Sequence, residues 1–150
     1  MFRGTYEHAI DAKGRTSFPS KFRELLAAEG ASKLVVTASL DACLVVYPPR
    51  LFKEFEERLE ALPQFDKAVR DMKRIYLGNA TDVDVDPVGR LLIPSILRER
   101  AKLKRDAIWA GNGKNVELWD KGAYQAVNLA ITENEERREE IAQRVAELGL

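Results

Sequence analysis

The chain has 150 residues, 45% hydrophobic and 32% charged, with 24 Lys and Arg against 24 Asp and Glu. That length suits one domain with one good core, and no apolar run approaches the ~20 residues of a membrane span. Zero net charge removes any global attraction to nucleic acid, so a nucleic-acid role must rest on where the charge lies.

The elements can be read in chain order. "TYEHAI" alternates as a strand, with Tyr6, His8 and Ile10 on one face. "DAKGR" (11–15) reads as a tight turn. Asp11 takes the first position of a type I turn and Gly14 the fourth, where glycine tolerates positive φ. A short strand, Thr16–Phe18, leads to "PS" and a helix with Phe22, Leu25 and Leu26 on one face. "LVVT" and "CLVVY" flank "ASLDA" as a hairpin, and "PPRLF" starts a helix. Phe52, Phe55, Leu59 and Leu62 mark that helix as amphipathic; Phe65, Val69, Met72 and Tyr76 mark another after Pro63.

The series then restarts. "TDVDV" leads to "DPVGR" (86–90), followed by strand Leu91–Ile93, a second "PS", and a helix carrying Leu97, Ala101 and Leu103. "AIWA" and "VELW" flank "GNGKN", and "DKGAY" starts a helix continued by Tyr124, Val127 and Ile131. Ile141, Val145 and Leu148 run along a polar last stretch. Aligned without a gap, "DAKGRTSFPSKFRE" (11–24) and "DPVGRLLIPSILRE" (86–99) share Asp, Gly, Arg, Pro, Ser, Arg and Glu. The chain is an internal duplication. Its segments are a first repeat at 5–48, linking helices at 49–76, a second repeat at 77–120 and a helical tail at 121–150, within one compact domain. One half is small for a stable core, which favours pseudo-two-fold packing of the pair.

Two in-register copies of D-x-x-G-R-x-x-x-P followed by a short helix, with the opening "MFRGTYEHAIDAKGR", closely resemble the MraZ family of bacterial regulators. The likeness runs from about Met1 to Ala130. It implies an α+β fold of tandem AbrB-like swapped-hairpin repeats, a pseudo-two-fold β core with flanking helices. It also implies a cytoplasmic, nucleoid-associated transcription factor. Such a protein binds double-stranded DNA at repeated boxes upstream of its own cell-division and cell-wall gene cluster, typically as a repressor, and assembles as a homo-oligomeric ring. The family's motif falls on Asp11 and Arg15, and on Asp86 and Arg90, with the arginines as DNA contacts.

The residues bear on that expectation directly. Turn geometry accounts for Asp11, Gly14, Asp86 and Gly89 but asks for neither Arg15 nor Arg90. A guanidinium suits a phosphate or the O6 and N7 of guanine; the bland alternative is an Asp–Arg pair that only braces each turn. Lys13 at the first tip and Arg3 on the neighbouring strand are expected to add phosphate contacts. Val88 replaces Lys13 in the second loop, which makes the first loop the more basic. "LRERAKLKR" (97–105) is a minor DNA candidate, and most simply a solvated face. The tail from Glu133 onward carries six Glu against three Arg.

Enzymatic activity is not expected. The single His8 reads as a partly buried ring, and the single Cys43 as a packed thiol that excludes an internal disulfide. No His, Cys or carboxylate cluster has metal-ligand spacing. No cofactor, small-molecule substrate or membrane partner is expected, and the opening residues hold no signal-peptide apolar segment. An AbrB-like antitoxin and a structural ring subunit that binds no DNA are the competing readings.

Overall fold

In a computed structural model that describes Met1–Leu150, the chain divides into two units, Met1–Asp120 and Lys121–Leu150. The first holds β1 (Thr5–Ala9), β2 (Arg15–Ser17), α1 (Ser20–Ala28), β3 (Lys33–Ala38), β4 (Leu44–Tyr47), α2 (Pro49–Glu60) and α3 (Lys67–Tyr76). It continues with β5 (Thr81–Asp84), β6 (Arg90–Leu92), α4 (Ser95–Arg100), β7 (Asp106–Asn112) and β8 (Asn115–Asp120). The second unit is α5 (Lys121–Thr132) and α6 (Glu135–Glu147).

Six strands form one antiparallel sheet in the order β1-β7-β8-β4-β3-β5, and β2 pairs only with β6. Exchanging the two copies reverses the six-strand order onto itself. The pseudo-two-fold axis therefore runs between β4 and β8 and between β2 and β6. The first strand of each copy lies against the hairpin of the other: Tyr6 faces Trp109 across β1 and β7, and Val83 faces Leu34 across β5 and β3. The halves exchange strands, so each half completes the other's sheet.

The exchange changes what the "DAKGR" turn does. Its arms do not form a ladder with each other; β1 joins the large sheet and β2 the two-stranded ribbon. Alternation in the sequence describes each arm but not its partner.

Cross-strand register places Trp109, Leu118, Leu44 and Val36 on one face of the sheet, all fully or almost fully buried. Phe18 meets Trp109 edge-on at 5.2 Å between ring centroids, and Phe22 meets both Phe2 and Tyr6 edge-on. Leu26, Leu91, Ile93 and Leu97 complete this core beneath α1, the ribbon and α4. On the opposite face Tyr47 packs against Phe52 and Phe55 of α2, and Thr37 Oγ1 donates to the Tyr76 carbonyl at 2.6 Å. Both faces of β3 and β4 are thus covered, which is why those strands read as nearly continuous apolar runs.

One helical assignment shifts. Phe65, expected on the apolar face of α3, is 97% exposed. Asp66 caps α3 by accepting the Ala68 N–H at 2.8 Å, so Phe65 lies before the first helical turn and outside its packing face. Leu103 likewise follows the end of α4, partly buried. In the second unit Asn134 caps α6 through the Arg137 N–H, and the polar surface of α6 carries Arg137–Glu140 and Arg144–Glu147 pairs.

Candidate functional site

The two D-x-x-G-R loops are built alike, bond for bond. Gly14 N–H donates to the Asp11 carbonyl at 2.9 Å, and Asp11 N–H donates to the Arg15 carbonyl at 2.9 Å. Asp11 Oδ1 accepts the N–H groups of Lys13 and Arg15, both at 2.9 Å. In the second loop Asp86 Oδ1 accepts from Val88 at 3.0 Å and Arg90 at 2.8 Å, with the same backbone closures. Gly14 and Gly89 have φ of 93° and 86°, the left-handed region expected at the fourth position.

Each arginine leans back on its own aspartate. Arg15 Nε donates to Asp11 Oδ2 at 3.2 Å, and Arg90 Nε to Asp86 Oδ2 at 3.4 Å. These bonds hold both carboxyls below the usual carboxylate range, the Arg15 and Arg90 backbone N–H groups contributing most. The bracing pair is therefore real. It engages each guanidinium through Nε, and the Arg15 and Arg90 side chains remain 51% and 56% exposed. Bracing and ligand contact are compatible on one side chain.

The ribbon sets both arginines on one surface. Register pairs Arg15 with Leu92 and Ser17 with Arg90, while Thr16 and Leu91 between them are buried. The outward face of β2 and β6 thus carries Arg15 and Arg90 two residues apart in register, on opposite strands. A cleft of about 690 Å³ takes in Asp11, both arginines, Arg98, Lys104 and Arg105. Lys13 sits exposed at the first loop tip and Val88 at the second.

Arg3 does not line this cleft. It precedes β1, whose five residues span roughly 17 Å before the loop at ~3.4 Å per residue. It lines a separate pocket with Tyr6 and Lys21.

What sequence reasoning missed is the strapping role of Arg23 and Arg98. Both are matched arginines of the duplication, on α1 and α4. Arg98 donates from Nε to the Ile93 carbonyl at 3.0 Å and from a terminal nitrogen to the Lys13 carbonyl at 3.4 Å. Arg23 reaches the Val88 carbonyl at 3.1 Å. Each half thus straps the loop of the other. A Cβ on Gly14 would sit 2.5 Å from Arg98 Nε, and a Cβ on Gly89 would collide with the Arg23 guanidinium. Positive φ is what calls for glycine at both positions; an added Cβ would also push the overlying arginine aside.

The other singled-out residues are structural in their surroundings. Burial, then the charge of Arg23, lowers the His8 pKa. Burial, then the Glu117 carboxylate, pushes the Cys43 thiol up to about 12, and Sγ lies 3.8 Å from Glu117 Oε2. Trp109 and Trp119 are both buried. No group of three or more His, Cys, Asp or Glu is placed to hold a metal ion. No helix is long and apolar enough to cross a membrane.

Two repeats that exchange strands around a cationic two-stranded ribbon define a protein of tandem AbrB-like swapped hairpins. Comparison with known proteins narrows the class. The family model for the MraZ protein, described as antitoxin-like, matches twice, over residues 1–75 and 76–147. A protein of Acidovorax sp. strain JS42 named Transcriptional regulator MraZ is 42% identical over 135 residues, covering 90% of this chain and 93% of its own. Proteins of the same name from Caldanaerobacter subterraneus and Acetivibrio thermocellus are 45% identical over 125 residues and 40% identical over all 150. The Caldanaerobacter match covers 83% of this chain and 85% of that one; the Acetivibrio match covers both chains fully. The chain belongs to the MraZ family.

Proposed function

We propose that this chain is a non-enzymatic, sequence-specific DNA-binding transcriptional regulator. In this reading it represses its own cell-division and cell-wall gene cluster by binding repeated upstream boxes as a homo-oligomeric ring. The observation that carries the reading is the pair of Asp-held arginines on one outward ribbon face, each braced through Nε and with more than half of its side chain exposed. Fixing Nε on a carboxylate removes rotamer freedom before binding, so less order is lost when the fork meets DNA. Arg15, Lys13 and Arg90 are the proposed contacts, in a two-stranded ribbon of the kind a major groove admits. Asp11, Gly14, Asp86 and Gly89 shape the loops and aim the arginines. Arg3, outside the cleft, remains a candidate phosphate contact. A few cations give weak binding at physiological salt, and a ring that repeats them gains affinity through linked sites. The naming of relatives as transcriptional regulators supports the same reading.

The test is binding of the purified full chain to a labelled duplex from upstream of its own coding sequence, against a scrambled duplex. Arg15→Ala is expected to abolish specific binding with circular dichroism and light-scattering mass unchanged. Equal binding by wild type and variant, or a wild-type mass of a single chain, would overturn the respective parts of the proposal.

A further inference from the structure

The strand exchange decides which connection lies beside which loop, and the two connections are chemically unlike. Ile10 N–H, just before the first loop, donates to the Arg105 carbonyl at 2.7 Å. This binds the first loop to the α4–β7 connection, "AKLKR" (101–105). Its counterpart, Val85 N–H, donates to the Ser32 carbonyl at 2.9 Å. This binds the second loop to the α1–β3 connection, "EGAS" (29–32).

The consequence is a pair of unequal pockets. Beside the first loop the ~690 Å³ cleft holds five cations and one carboxylate, Asp11, which Arg15 already engages. Lys104 and Arg105 are exposed there. Beside the second loop a smaller pocket of about 400 Å³ holds a single cation, Arg23, which straps the Val88 carbonyl. Asp86 is its one carboxylate, and Leu26, Ala31, Ser32 and Pro87 are among the uncharged residues of its wall. The connection beside the first loop therefore adds two exposed cations, Lys104 and Arg105, where the connection beside the second adds none.

Resting on the DNA-binding reading above, we propose that Lys104 and Arg105 seat a backbone phosphate of duplex DNA beside the first loop. The anchor beside the first loop is thus completed by residues of the opposite repeat. The first loop is the tight end and the second the weak one. Phosphate contacts position a protein without reading sequence. The seat therefore adds affinity and salt dependence, while discrimination stays with the ribbon arginines.

The experiment is fluorescence anisotropy of the full chain on a fluorescein-labelled duplex from upstream of its own coding sequence, and on its scrambled version, over a KCl series. Lys104→Gln/Arg105→Gln is compared with wild type and with Lys53→Gln/Lys67→Gln, which neutralises two exposed lysines on α2 and α3. Circular dichroism and mass are recorded for each. The expected result is roughly tenfold or greater weakening in the first pair, with a log–log salt slope shallower by about 0.9, the value for the one phosphate seated. The ratio of specific to scrambled binding should hold. An affinity and slope equal to wild type would overturn the seat and leave the DNA-binding reading standing. An equal loss in the α2–α3 pair would also overturn it, as a general charge effect. A wild type with no salt-dependent binding would remove both.

Discussion

Gly14→Ala tests the cross-half strap most directly. Two costs add in this variant. Alanine at φ 93° loses about 1–2 kcal/mol relative to glycine. The new Cβ, 2.5 Å from Arg98 Nε, displaces the guanidinium from its bonds to the Ile93 and Lys13 carbonyls. The first of these bonds is worth about 1 kcal/mol and the second, at 3.4 Å, less. The expected destabilisation is about 2–3 kcal/mol, read from urea unfolding by the fluorescence of Trp109 and Trp119 at fixed protein concentration. Arg98→Ala alone should cost about 1 kcal/mol. In that background Gly14→Ala should cost only the φ penalty, so the double-mutant cycle should show a coupling of about 1 kcal/mol. Strict additivity, or a Gly14→Ala cost below about 0.5 kcal/mol, would refute the strap.

Two further outcomes are expected. Cys43, buried and with its thiol pushed up to about 12, should resist a thiol reagent at about pH 8 until urea unfolds the chain; native labelling at a free-thiol rate would contradict its packing. His8 has a folded pKa below its ordinary 6.5, so as pH falls through that value the unfolded chain takes up a proton that the folded chain refuses. Stability should be full above about pH 6.5 and decline below it. His8→Gln should flatten that decline between about pH 7.5 and 5.5; an unchanged urea-midpoint slope would assign the decline to other groups.

Much of the fold was legible because it is local. Asp at the first turn position and Gly at the fourth carry their own geometry. Pro before Ser marks each short helix, and the apolar runs of β3 and β4 announce burial on both faces. The arginines after the turns stood out because no backbone rule requires them. Partner choice was not legible. Tyr6, His8 and Ile10 alternate identically whether β1 pairs within its own repeat or, as it does, with β7 of the other. Arg23 and Arg98 were visible as matches, but their strapping contacts lie 65 and 85 residues away in sequence. Phe65 had the right spacing for a helix face, and a single capping bond from Asp66 removed it.

The covalent link between the repeats has one more consequence. Two identical chains with exchanged strands would present the same loop twice, and such a pair matches only a dyad-symmetric target. Here the partners are joined through α2 and α3, and each loop mutates independently. Lys13 against Val88, and "AKLKR" against "EGAS", are differences that a symmetric dimer could not hold. Fusion releases the molecule from strict two-fold symmetry: the ribbon has two unlike ends, and in the DNA-binding reading proposed above that gives it a direction along the duplex.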